Sequence, residues 1–219
     1  MMTNECNLER ICAIVSGGQG SRVLKIARRL GAQGGTVLLG KGTARGRLLD
    51  FLGLTDTRKE IVHVIVGRAT ARRVLKGLDE ELALSKPNHG IAFTTKVAVL
   101  AGSRNCGEAE QTGDGEVPIM FHAITTIVEK GNAEMVIDAA AKAGAKGGTI
   151  INARGSGVHE TQKLFYMDIE PEKEMVLILA EVEKTDAIVE AIRTDARIDE
   201  PGRGILFVQE VQRVYGIVR

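Results

Sequence analysis

The residues in this chain whose types and spacing could do chemistry are glycines with a basic side chain beside them. Lys41-Gly42-Thr43-Ala44 and Arg154-Gly155-Ser156-Gly157 each close an apolar run, Val37-Leu38-Leu39 in one case and Ile150-Ile151 in the other. Pro87-Asn88-His89-Gly90 and Pro201-Gly202-Arg203-Gly204 each open a later apolar run, and Arg213 lies beyond the last of them. Glycine lets backbone N–H groups come close to an anion, and an adjacent Lys or Arg supplies charge. These segments are therefore candidates for binding a small anionic ligand. The plainer alternative is that the glycines only turn the chain.

Other chemistries fit less well. Gly35-x4-Gly40-Lys41 approaches a P-loop, but Gly42 stands where Ser or Thr would hold magnesium, and Thr36-Val37-Leu38-Leu39 reads as a strand. Gly18-x-Gly20 lacks the third glycine of a dinucleotide fingerprint. His63, His89, His122 and His159 show no metal-ligand spacing and there is no Cys-x-x-Cys, so no metal site is expected. His89, in a turn, is the histidine best placed to reach a ligand. No Ser-His-Asp or Cys-His grouping stands out. No catalytic residue is assigned, and the chain reads as a binder rather than an enzyme.

The elements that position these segments occur twice. Gly31-Ala32-Gln33-Gly34-Gly35-Thr36 returns as Gly144-Ala145-Lys146-Gly147-Gly148-Thr149, an offset of 113 residues. Lys59-Glu60-Ile61-Val62 returns as Lys173-Glu174-Met175-Val176 at an offset of 114, so one residue is inserted between Gly155 and Lys173, as a surface loop tolerates. Such self-similarity marks a duplicated structural unit. In the first copy residues 10–16 alternate as a strand, Ser21 is the expected N-cap of a helix, and Val23, Ile26, Ala27 and Leu30 form its apolar face. Strands follow near 35–41 and 61–66, then a helix marked by Val74, Leu75, Leu78 and Leu82, then a strand from Gly90 towards Leu100. The second copy repeats the order, with strands near 121–128, 148–154, 174–182 and 204–214 and helices near 132–143 and 185–193. The expected fold is α+β: two tandem ferredoxin-like βαββαβ units with antiparallel sheets. Their boundaries are expected at 9–102 and 119–219, with a glycine-rich linker over 103–118. One face of each sheet needs covering, so association through the sheets is expected.

Bulk properties narrow the class. The chain has 219 residues, 44% of them hydrophobic, with no long apolar run, so no membrane insertion is expected. The beginning of the sequence lacks the pattern of a signal peptide, and three unpatterned cysteines suggest reduced thiols in the cytoplasm. Net charge is +1 and aromatics make up 3%, which argues against a nucleic-acid partner. Cys12, inside a strand pattern, reads as core.

At this point the sequence resembles the PII signalling proteins, the trimeric nitrogen regulators with ferredoxin-like subunits, each repeat resembling one subunit. The second copy carries the clearest likeness, in Gly144–Thr149, Arg154-Gly155-Ser156-Gly157, Pro201 to Val208, and Val211-Gln212-Arg213-Val214. The resemblance implies an adenine nucleotide (ATP, ADP or AMP) held in a cleft by the corner after the second strand, by the turn before the last strand, and by basic residues near the C-terminus. It also implies a long loop after the second strand that contacts a regulated target protein and responds to 2-oxoglutarate. The chain departs from the family at several points. Ile91 and Ile205 stand where a lysine is usual, Val158 and His159 stand where a glutamine is expected, and both target loops are short. The resulting expectation is a cytoplasmic homo-oligomer, three chains in two stacked rings, that senses a small anionic effector between units and signals to a protein partner. An amino-acid sensor of the ACT type and a structural scaffold with degenerate sites are the alternatives.

Overall fold

The computed structural model describes residues 7–43, 57–97, 100, 119–154, 162–164, 167–169 and 171–217. The expected linker, the loop glycines Gly155 and Gly157, and Val158 and His159 lie outside them. The chain divides into two compact units. One comprises Met1–Leu38, Lys59–Ile119 and Glu210–Arg219, the other Leu39–Arg58 and Met120–Gln209.

The first unit holds β1 (Leu8–Ser16), α1 (Gly20–Arg29), the start of β2 (Thr36–Gly42), β3 (Thr57–Gly67), α2 (Arg68–Leu82) and β4 (Ile91–Val97). Strands β1 and β3 pair antiparallel, as do β1 and β4, so the order β2-β3-β1-β4 is that of a ferredoxin-like unit. The helical periodicity explains the layers. Val23, Ile26 and Ala27 of α1 and Ala71, Val74, Leu75 and Leu78 of α2 are buried against Ile11, Ala13, Val15, Val62 and Val64 on one sheet face.

The second unit repeats this with β5 (Phe121–Glu129), α3 (Ala133–Lys142), β6 (Thr149–Arg154), β9 (Glu172–Glu181), α4 (Val182–Asp195) and β10 (Gly204–Val211), in the order β6-β9-β5-β10. Its core is Ile124, Val128, Val136, Ile137, Val176, Ile178, Ile188 and Ile192. A short hairpin, β7 (Gln162–Leu164) with β8 (Met167–Ile169), stands in the connection before β9, where a surface loop is expected from the repeat. The C-terminal half of β2, which belongs to this unit, pairs with β6, and Thr43 Oγ1 both accepts from Gly148 N and donates to Gly148 O at 3.0 Å.

The repeated Gly-Gly-Thr motif has a packing cause. A Cβ on Gly35 would sit 2.7 Å from His63 O and from a Leu24 methyl, and one on Gly148 would sit 2.6 Å from a methyl of Ile137. Each second glycine lets helix and sheet approach closely.

Two expectations are corrected. Ser21 does not cap α1, because it lies inside the first turn and Gln19, at the cap position, makes no side-chain cap bond. Instead a carboxylate from the sheet takes that role: Glu60 accepts from Gly20 N, and in the second unit Glu174 accepts from Gly131 N and Ala133 N at 3.0 Å. A negative charge there also suits the positive end of the helix. The single last strand near 204–214 is two strands. The chain bends at Gln212, and β11 (Arg213–Tyr215) pairs with β4 in the first unit.

Candidate functional site

Most of the candidate anion-binding residues sit at strand ends and turns. Arg154 is the last residue of β6, exposed and in register with Glu172 of β9. Glu172 accepts from Lys130 Nζ, and that bond, with the charge of Lys130, holds its carboxyl below the usual range; Arg154 adds a smaller pull. Arg203, in the turn before β10, places its Nε 3.3 Å from Glu200 and is exposed. Gly202 and Gly204 both take positive φ, +79° and +149°. In the sheet order β6-β9-β5-β10, Arg154 and Arg203 lie at the same end but three strand spacings apart, about 14 Å between backbones.

In the first repeat, Lys41 is exposed on β2 in register with Ile150, and Gly42 is buried opposite Thr149. Asn88 adopts a left-handed conformation with φ +65°, and His89 Nδ1 lies 2.9 Å from Leu82 O, which ties its ring to the end of α2. Gly90 and Gly204 share one structural cause. Their φ values are +124° and +149°, and a Cβ would stand 2.6 Å from Ile14 O and 2.4 Å from Ile127 O respectively. Arg213 is placed differently from the rest. It lies in the first unit, against the buried carboxylate of Glu9.

The sequence reading missed the surroundings of Glu9. Glu9 faces the helices on β1, Arg68 opens α2, and Arg72 follows one turn later. A signal was present, since an arginine at the first position of a helix opposes the dipole that favours acids there, and a second arginine follows one turn later. On the other sheet face Cys12 pairs in register with His63. Burial pushes the Cys12 thiol up to about 12, with Arg10 offsetting part, so it is an inert core group. Among the described residues, no group of three or more His, Cys, Asp and Glu side chains is placed to hold a metal ion, and no helix is long and apolar enough to cross a membrane.

Residues 121–219 match the family model described as Nitrogen regulatory protein P-II. That match covers 99 of the 219 residues, and the repeated order of elements gives the first half the same arrangement of strands and helices. Among solved structures, the B. subtilis GlnK–ATP complex is 21% identical, over 44% of this chain and 85% of its own, with a TM-score of 0.35. Arabidopsis thaliana PII bound to citrate is 24% identical, over 42% and 75%, with a TM-score of 0.32. B. subtilis GlnK is 20% identical, over 42% and 84%, with a TM-score of 0.33. No curated protein matches the chain.

Proposed function

We propose that this is a PII-like regulatory protein that binds a small anionic effector, an adenine nucleotide, and relays its occupancy to a partner protein. The observation that carries this reading is the match of residues 121–219 to nitrogen regulatory protein P-II, a stretch containing Arg154, Arg203 and the glycine turn before β10. Arg154 and Arg203 are the phosphate-facing charges, and Gly155, Gly157, Gly202 and Gly204 give backbone access. Lys41, Asn88 and His89 hold the equivalent places in the first repeat, so its site differs in charge. Effector binding biases the connections over 42–59 and 155–173 by favouring one of their conformations, and those connections contact the target. The working form is a cytoplasmic homo-oligomer of three chains packed through their sheets.

Thermal unfolding of the full chain with ATP, ADP or AMP, with and without magnesium, tests this. A ligand that binds only the native state stabilises it by about 2.7 kcal/mol at about 100 times its dissociation constant. The stabilisation is expected to vanish in Arg154→Ala and Arg203→Ala and to persist in Arg197→Ala. Equal stabilisation in all of them sinks the assignment, and a response to amino acids alone replaces it with the ACT-type reading.

A further inference from the structure

The helices of the two units carry opposite charge on their solvent side. In the first unit α1 and α2 hold eight Lys and Arg against three Asp and Glu, and α1 contains no acidic residue. In the second unit α3 and α4 hold three basic residues against six acidic ones. The whole chain has a net charge of only +1, so charge is separated within it rather than in excess. Val23 and Ala27, buried in α1, return as Val136 and Ala140, buried in α3. Exposed Lys25 returns as exposed Asp138, and exposed Lys76 as exposed Glu190. One core pattern is kept beneath surfaces of opposite sign, so the fold itself requires neither sign.

The charges fall in matching stripes. On α1, Arg22, Lys25 and Arg29 stand at i, i+3 and i+7, an exposed line about 10 Å long with Arg28 beside it. On α4, Glu183, Asp186 and Glu190 repeat that spacing and are also exposed. Charges of the minority sign are taken up locally. Glu81 pairs with Arg29 and Glu80 with Lys76, while Lys184 pairs with Glu181 and Arg193 with Glu190 and Asp199. Among the described residues no ion pair reaches Lys25, Arg28, Glu183 or Asp186. Like charges one turn apart on a helix repel, a cost that an opposing stripe of the other sign relieves.

We propose that the helical layer of the first unit docks on the helical layer of the second unit in another copy of this chain, with the α1 stripe against the α4 stripe. The chain carries both halves of this contact, at equal spacing and of opposite sign. A foreign polyanion would use the basic layer alone and leave the acidic stripe without a role. The contact is heterologous, so each copy keeps one face of either sign for the next, and copies add until a ring closes or a filament grows. It leaves the other face of each sheet free and shares no residue with the Arg154 and Arg203 turns. Exposed ion pairs are individually weak and screened by salt, so this association depends on several charges acting together and dissolves as ionic strength rises.

Light scattering of the full chain in about 0.01 M and about 1 M sodium chloride tests the contact, because the screening length falls from about 30 Å to about 3 Å between them. Association through apolar sheet faces survives high salt and sets the baseline mass. The parent is expected to grow beyond that baseline at low salt. Lys25→Gln with Arg28→Gln in one variant, and Glu183→Gln with Asp186→Asn in another, should each weaken this growth about tenfold. Mixed in equal amounts at low salt, the two variants should associate again, since the acidic stripe of the first meets the basic stripe of the second. Mixing does not repair a folding defect, so recovery separates a lost contact from a damaged protein. Lys86→Gln, which removes an exposed charge from a turn outside both helices, should behave as the parent does. A parent whose mass ignores salt, a variant that grows as the parent does, an absence of recovery on mixing, or an equal loss in Lys86→Gln overturns the proposal. A parent that keeps its baseline mass at low salt and gains mass only with added polyglutamate also overturns it, and makes the occupant of the basic layer a foreign acidic chain.

Discussion

Arg213 Nη1 lies 3.4 Å from both carboxylate oxygens of Glu9, a residue 204 positions earlier in the chain. The side chains are only 16% and 2% exposed, so both charges are largely out of water and each depends on the other. The same three residues that form β11 pair with β4, and Tyr215 packs on the first unit's core. Removing Arg213 takes away one of the cations that compensate this buried carboxylate. Because Arg68 remains nearby, Arg213→Ala is expected to cost about 2–4 kcal/mol, somewhat under the cost of stripping a buried charge of its only partner. Arg197→Ala removes an exposed pair with Glu200 at 3.8 Å and should change stability by less than about 0.5 kcal/mol. Urea denaturation of the two variants checks this; equal losses would mean that the Arg213–Glu9 contact carries no more stability than the exposed pair.

Gly90 and Gly204 are turn residues that could bare N–H groups to a ligand. Their backbones supply a separate reason for glycine, since a Cβ would strike Ile14 O or Ile127 O and φ is positive at both. Gly90→Ala and Gly204→Ala are each expected to destabilise the protein by about 1–3 kcal/mol, ligand or no ligand. Gly34→Ala, with ordinary φ and open space around its Cβ, should be neutral or slightly stabilising. Thermal unfolding in the absence of any nucleotide separates the two cases. If Gly90→Ala and Gly204→Ala left stability intact and weakened only ligand binding, the steric account would fail.

The duplicated order of elements was legible because it rests on local periodicity. Val74, Leu75 and Leu78 fall on one helical face in the sequence and are fully buried in the structure. Long-range contacts were not legible in the same way. Lys59-Glu60 and Lys173-Glu174 were visible as a repeated pair, yet the role of their carboxylates depends on which helix end the sheet brings to them. The alternation of Val211-Gln212-Arg213-Val214 gave one strand, because alternation carries no record of which neighbour a strand pairs with. The candidate site was legible as a set of glycine and basic residues, whereas the Glu9 cluster joins three distant stretches and leaves no motif.

His63 gives a pH dependence with a defined sign. Burial first, then the charge of Arg10, lower its pKa from the ordinary 6.5 to about 4. Between these values the unfolded chain binds a proton that the native state refuses. The stabilisation from a neutral His63 is therefore complete above pH 6.5 and is lost as pH falls towards 4. Allowing for partial solvent screening, the loss is on the order of 1–2 kcal/mol. Denaturation at pH 7 and pH 4.5 should show a smaller pH-dependent loss in His63→Gln than in the parent. Parallel losses in the two proteins would remove His63 as the cause.

The proposed assembly through the sheets makes its own prediction. On β10 Leu206 packs into the second unit's core, so strand alternation turns Ile205 and Phe207 to the opposite face, where they are 57% and 40% exposed. Strand β10 lies at the edge of that unit's sheet, and exposed neighbouring apolar side chains of this size favour a face that another copy covers. Light scattering during gel filtration should give the mass of three chains for the parent protein. Phe207→Asp places a charge where association would bury it and should shift the mass towards one chain. The circular dichroism of the variant should be unchanged, since Phe207 contributes little to the core of its own unit. A monomeric parent, or a Phe207→Asp variant with the parent's mass, would rule out this face as the contact between copies.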